Sequence, residues 1–159
     1  MRLEFVVAGC IIRIDHHVLL IWHKRHKEWL PPRGHMKQNE TPDDAVVREV
    51  REEIGLEIGL IDNRVSKTVE GVKRQLPLPF FADVHNVGDH DHCCFYYLAM
   101  PKNQEQPVIP NLNEVEDDRW FEKSELSSAR VPPDARMISR LALERGELTP
   151  KRSQPKNKV

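Results

Sequence analysis

Between Gly34 and Leu56 nine positions stand at spacings that leave the chain little choice of local structure. Five residues separate Gly34 from Glu40 and seven separate Glu40 from Arg48; Arg48-Glu49-Val50-Arg51-Glu52-Glu53-Ile54-Gly55-Leu56 then follows without a break. Thr41 followed by Pro42, Asp43 and Asp44 predicts a helix start, with a hydroxyl N-cap, proline in the first turn and acids near the helix N-terminus. Gly55 predicts its end, because glycine accepts the left-handed conformation that closes helices. At about 100° per residue, Val46, Val47, Val50 and Ile54 share one stripe, the expected buried face. Glu49, Glu52 and Glu53 fall in a neighbouring stripe, since i, i+3 and i+4 positions adjoin. Arg48 stands one turn before Glu52 and is spaced to pair with it.

Three carboxylates on one helix stripe repel one another by a few tenths of a kcal/mol per exposed pair. Either they face open water or a cation neutralises them. A solvated acidic face would not need the fixed Gly34, Glu40 and Arg48, so the cation reading is preferred. Hard divalent cations favour oxygen ligands, and magnesium takes carboxylates together with phosphate oxygens and water. The segment therefore points to metal-assisted attack on a phosphoanhydride.

The pattern resembles the signature box of the Nudix hydrolases, G-x5-E-x7-R-E-U-x-E-E-x-G-U with U aliphatic, and agrees at every specified position. The resemblance extends to a strand pair before the box, to Trp29-Leu30-Pro31-Pro32, and to Asp118-Arg119-Trp120-Phe121 with an acidic helix after it, or roughly residues 3 to 146. It implies an α/β fold, an α/β/α sandwich around a mixed β-sheet, with the box as a loop-helix-loop metal site. It also implies hydrolysis of a nucleoside diphosphate linked to another moiety, with Mg2+ as cofactor and Mn2+ as a substitute. By the same resemblance Glu49, Glu52, Glu53 and a further glutamate, Glu114 (with Glu116 as fallback), hold metal. Arg48 orients them, and Glu40 and Gly55 are structural. Arg33 stands where members often carry glycine, and Asn39 replaces another; asparagine is the next-best residue for a left-handed turn. The run Pro31-Pro32-Arg33-Gly34-His35 is similar to the loop of dinucleoside polyphosphate hydrolases. Arg33, Gly34, His35 and Lys37 are thus expected to meet substrate phosphates.

The chain has 159 residues, 31% of them charged, with a formal net charge of −1. That balance gives no basis for bulk nucleic-acid affinity, so the expected partner is a nucleotide-type small molecule. One domain is expected over 1–148, followed by a basic, disordered tail over 149–159. The sequence does not define an oligomeric state. No stretch approaches the roughly 20 apolar residues of a membrane helix. Val7-Ala8-Gly9-Cys10 resembles a lipoprotein cleavage site, but Glu4 interrupts the apolar run such a signal needs. Phe5–Ile14 reads better as a strand, with Val18–Trp22 its partner after a His16-His17 turn. Three cysteines, two of them adjacent, make no disulfide framework; reduced thiols in a cytoplasmic protein are expected.

Further along, Glu57–Asp62 reads as a short strand or loop, Val65–Lys73 as a strand, and Leu76–His85 as an edge interrupted by Pro77 and Pro79. Cys93–Met100 reads as a central strand and Asn103–Asn113 as a loop. Glu122–Ala129 and Asp134–Arg145 read as helices, the second ended by Gly146. His85, His90, His92, Cys93 and Cys94 do not match the paired spacing of structural zinc sites and read as a polar loop, with a histidine contact to nucleotide or phosphate as the alternative. Phe80, Phe81, Tyr96 and Tyr97 are the aromatic candidates for base stacking or core packing. The function expected is magnesium-dependent phosphoanhydride hydrolysis, first on dinucleoside polyphosphates. Oxidised nucleoside triphosphates, ADP-ribose and other nucleotide sugars, and capped RNA ends are alternative substrates. A non-catalytic nucleotide-sensing module and a zinc-dependent interaction domain are the contrary classes.

Overall fold

The computed structural model describes residues 2–62, 64, 67, 69–127 and 130–148. The strands are β1 (Leu3–Ile11), β2 (Val18–His23), β3 (Glu28–Leu30), β4 (Arg33–His35), β5 (Ile58–Ile61), β6 (Phe81–Asn86), β7 (Asp91–Pro101) and β8 (Val115–Phe121). Two α-helices, α1 (Pro42–Ile54) and α2 (Pro133–Leu148), and a 3₁₀ helix at Lys123–Ser127 complete the elements. β1 and β7 run parallel from Leu3↔Asp91 to Ile11↔Ala99, while β4 flanks β1 and both β5 and β6 flank β7 antiparallel. β3, β2 and β8 form a second, antiparallel sheet.

Strand alternation divides the interior into two layers. Val6, Ala8 and Cys10 of β1 pack with Leu20, Leu98 and the α2 residues Ile138 and Ala142. Val7 and Ile11 face the other way, onto Leu19, Ile21 and the α1 residues Val46, Val50 and Ile54. The sheets thus lie between the two helices, an α/β/α sandwich. Strands covered on both faces read as unbroken apolar runs, as Phe5–Ile12 and Val18–Ile21 do. Val46, Val50 and Ile54 are fully buried, each worth roughly 1.5–3 kcal/mol, and they fix the rotation of α1. The three cysteines are free. Among the described residues no helix is long and apolar enough to cross a membrane.

Four local expectations change. Thr41 occupies the N-cap position without a side-chain cap bond; its hydroxyl instead accepts from Arg74, whose guanidinium also pairs with the buried Asp43. Gly146 lies inside α2, because a Cβ there would come 2.3 Å from the Ile12 Cδ1; this glycine permits close helix-to-sheet approach. The expected helix over Glu122–Ala129 is the 3₁₀ helix, with 128 and 129 outside the described residues. Arg64, Lys67 and 69–73 carry no strand; the other residues of Val65–Lys73 lie outside the described set, as does the 149–159 tail.

Candidate active site

β4 is three residues long, yet it organises the site. In an antiparallel pair, alternate residues direct their peptide groups toward the neighbour. Gly9 N–H donates to the Pro32 carbonyl and Met36 N–H to the Phe5 carbonyl, so Arg33 and His35 direct theirs away from β1. An edge strand leaves such groups to be satisfied by something else, and α1 supplies the partners. The Arg33 N–H donates to the Glu53 carboxylate, and the His35 carbonyl accepts from Arg48 at 3.0 Å. Gly34, between them, presents its bare Cα to Glu49: a Cβ there would lie 2.1 Å from the carboxyl carbon. The glycine at the head of the pattern is there to admit a carboxylate.

Arg48 is the brace. It holds Glu40 through two bonds of 2.6 and 2.8 Å, Glu49 at 2.8 Å and Glu52 at 3.1 Å. Glu40 also accepts the Lys37 N–H at 3.0 Å, while Asn39 beside it takes the left-handed turn at φ 63°. Hydrogen bonds from Arg48 depress the Glu40 pKa to about 2. Glu40 therefore stays ionised and ties the loop to the helix.

The opposite end of α1 locates the fourth carboxylate. Gly55 closes the helix at φ 64°, and carbonyls at the end of α1 are taken by the β7–β8 loop: Ile109 N–H donates to Ile54 and Asn111 N–H to Glu53. That loop delivers Glu114 into a cleft with Glu49 and Glu53. Glu116 is exposed on β8, outside the cleft. Glu52 stands at the outer rim, 54% exposed, with the Lys37 ammonium 3.9 Å away; neither lines the cleft.

Glu53 is buried, at 3% exposure, and its Oε1 has no hydrogen-bond partner. Burial raises its pKa to about 8, and the charges of Glu114 and Glu49 add to the rise. Burial likewise raises Glu49, against the opposing effect of Arg48. A buried carboxylate oxygen without a partner costs free energy, and here it faces further carboxylates. A hard divalent cation satisfies all of these at once, so Glu49, Glu53 and Glu114 fit the metal that the box implies.

The cleft has a volume of about 630 Å³, in the range of nucleotide-sized ligands. Its second wall comes from the β2–β3 turn: His23, Lys24, Arg25 and His26, with Arg33 alongside. Lys24 secures this turn to the late loop, its N–H donating to the Glu114 carbonyl at 2.9 Å. Burial lowers both His23 and His26, with the neighbouring cations contributing, and His23 reaches about 4. The positive charge of the wall thus belongs to Lys24, Arg25 and Arg33. Five consecutive basic or histidine residues, His23 to Lys27, are the sequence signal of this turn, which the glutamate box does not include. Of the expected phosphate contacts, Arg33, Gly34 and His35 line the cleft and Lys37 does not. Tyr96 and Tyr97 are buried in the two core layers, and Phe80 and Phe81 pack against the layer on the α2 side.

A carboxylate cleft facing a cationic wall, carried on this sandwich, defines a hydrolase of phosphoanhydrides. The family model described as the NUDIX domain matches residues 3–141, and the chain belongs to the Nudix hydrolase family. The Nudix hydrolase YvcI of Bacillus subtilis (strain 168) is 40% identical over 129 residues, 80% of this chain and 72% of that one. An RNA pyrophosphohydrolase of Hydrogenovibrio crunogenus is 45% identical over 49 residues, 30% of either chain. The crystal structure of a NUDIX-family hydrolase from Clostridium perfringens superposes with a TM-score of 0.77 at 26% identity, covering 91% of this chain and 98% of that one. Nudix hydrolases use divalent cations, and pyrophosphohydrolysis of nucleoside diphosphate derivatives is the activity that goes with membership.

Proposed function

We propose that this chain is a cytoplasmic, magnesium-dependent hydrolase of dinucleoside polyphosphates. The observation that carries the reading is the unpartnered Glu53 oxygen, buried between Glu49 and Glu114 across a cleft from Lys24, Arg25 and Arg33. Glu49, Glu53 and Glu114 would hold Mg2+, or Mn2+ in its place, with Glu52 completing the set at the rim. The bound cation supplies charge neutralisation at the phosphates and acidifies the attacking water.

The residues of the chain do the rest. Arg48 fixes Glu49 and Glu52 relative to each other. Glu40 keeps Arg48 in place and anchors the turn that leads into α1. Gly34 leaves Glu49 the space it occupies. Arg33, Lys24 and Arg25 grip phosphates beyond the scissile bond, and a guanidinium suits this because its planar fork pairs two oxygens at once. Lys37 meets substrate only at the outer rim, beside Glu52. Buried Glu53 and half-buried Glu49 sit where water is scarce, which strengthens charge interactions with the phosphate chain.

Two features support a long phosphate chain: the resemblance of Pro31–His35 to dinucleoside polyphosphate hydrolases, and the number of cations on the second wall. A second reading, 5′-phosphorylated RNA ends, is favoured by the identity to an RNA pyrophosphohydrolase. The test is product release with Mg2+ from diadenosine tetraphosphate, 5′-triphosphorylated RNA, ADP-ribose and 8-oxo-dGTP. The proposal predicts the highest kcat/KM on diadenosine tetraphosphate. Preference for the RNA would select the second reading, and preference for either of the others would overturn both.

A further inference from the structure

A second polar cluster lies on the other side of β4, outside the glutamate box. Strand register assembles it. Glu4 of β1 stands opposite His92 of β7, and His92 stands opposite His85 of β6. His35 of β4 pairs with Val6, two residues along the same face of β1. His90 reaches in from the β6–β7 turn. A single oxygen, Glu4 Oε2, lies 3.0 Å from His90 Nε2 and 3.7 Å from His92 Nε2, and these two nitrogens are 3.1 Å apart.

Those spacings have a chemical meaning. A tetrahedral ion with ligands at about 2.0–2.1 Å requires its ligand atoms to stand about 3.3–3.4 Å from one another, and the observed triangle straddles that value. The outer contacts also match a metal centre. The Nδ1 of His90 is engaged by Asp89 Oδ1 at 2.7 Å and by the Arg2 guanidinium at 3.1 Å, so Nε2 is the ring nitrogen turned to Glu4 and His92; a carboxylate on the outer nitrogen is the usual second contact of a ligating histidine. His85 repeats it, with Nδ1 2.9 Å from Asp83 and a buried Nε2 that has no partner.

We propose that Glu4, His90 and His92 form a second metal site, selective for a transition-metal cation of the zinc class. Nitrogen ligands favour such ions, whereas the all-carboxylate set of Glu49, Glu53 and Glu114 favours magnesium. His35 adjoins the triad, its Nε2 2.8 Å from Glu4 Oε2. His35 and His92 also line the cleft that holds Glu49 and Glu53. Through His92 a cation there adjoins the cleft and can take a phosphate oxygen of a bound nucleotide.

The test is titration of the whole protein with Co2+ in excess Mg2+, read by visible absorption, followed by displacement with Zn2+. The site predicts one Co2+ per chain with the strong absorption of a low-coordinate centre, bleached by one equivalent of Zn2+. His90→Gln, a change in a surface turn that leaves the strands intact, should weaken Co2+ at least tenfold. His90→Gln with His92→Gln should abolish the band, and Glu53→Gln should retain it. No band from folded protein would overturn the proposal. So would an unchanged band in the double variant, or its loss in Glu53→Gln, which would put the ion on the box. None of these readouts depends on hydrolysis, so the magnesium reading stands or falls separately.

Discussion

The two side-chain clusters are built in opposite ways. In the glutamate cluster, three of the four carboxylates come from two turns of one helix, and a single arginine from the same helix braces Glu49 and Glu52. In the histidine cluster, Glu4, His35, His92 and His85 come from four adjacent strands, with His90 added from a turn. Helical spacing brings i, i+3 and i+4 together whatever the rest of the chain does. A cluster laid across strands exists only once the sheet has its order and register. The first kind of site can therefore be read from a short run of sequence, and the second cannot.

This explains what the sequence disclosed. The helix bounds, its buried stripe, the Arg48 brace and the left-handed Asn39 and Gly55 were legible because each is set within about a turn of its neighbours. Glu114 was expected from the family pattern alone. The structure adds a physical reason for its position, the loop that takes up the last carbonyls of α1. Glu4 had been read only as an interruption in an apolar run, because its partners lie 31, 86 and 88 residues away at His35, His90 and His92. Gly34 was read as a loop residue that approaches phosphate. The contact that requires it is instead with Glu49, a neighbour that only the docking of α1 onto β4 reveals. The Thr41 cap failed for a similar reason: Arg74, far along the chain, claims the hydroxyl.

The contrast can be broken from the glutamate cluster. Glu53→Gln is expected to have the largest effect, a fall in kcat of about 10³-fold, within the range for loss of an essential acid–base or metal-holding group. Circular dichroism should show the fold retained, since glutamine has the same volume and no charge to bury. A fall of less than tenfold would remove Glu53 from the centre of the account.

Gly34→Ala comes next. The added methyl claims the space of the Glu49 carboxylate, and displacement of a positioned group by about 1 Å can cost 10²-fold. Steady-state kinetics should show kcat down about 10- to 100-fold with KM little changed. Normal turnover would mean that Glu49 has no fixed place in the reaction.

The smallest effect is on stability. The folded pKa of Glu53, about 8, lies above its ordinary value of 4.5. A raised folded pKa contributes stability that is fully present below pH 4.5 and is lost as pH rises through 8. In EDTA, the Tm of the wild type should therefore decline relative to Glu53→Gln across that window, by a few degrees. Excess Mg2+ should reverse the decline. Parallel Tm curves for the two proteins would show that Glu53 is not held in the environment described.

The most direct test of the central claim is hydrolysis of diadenosine tetraphosphate by the wild-type protein, measured in Mg2+ and again in EDTA, with Glu53→Gln as the paired control. The account predicts turnover that requires Mg2+, vanishes in EDTA and is nearly absent in the variant. Equal turnover in EDTA, or equal turnover by the variant, would contradict it.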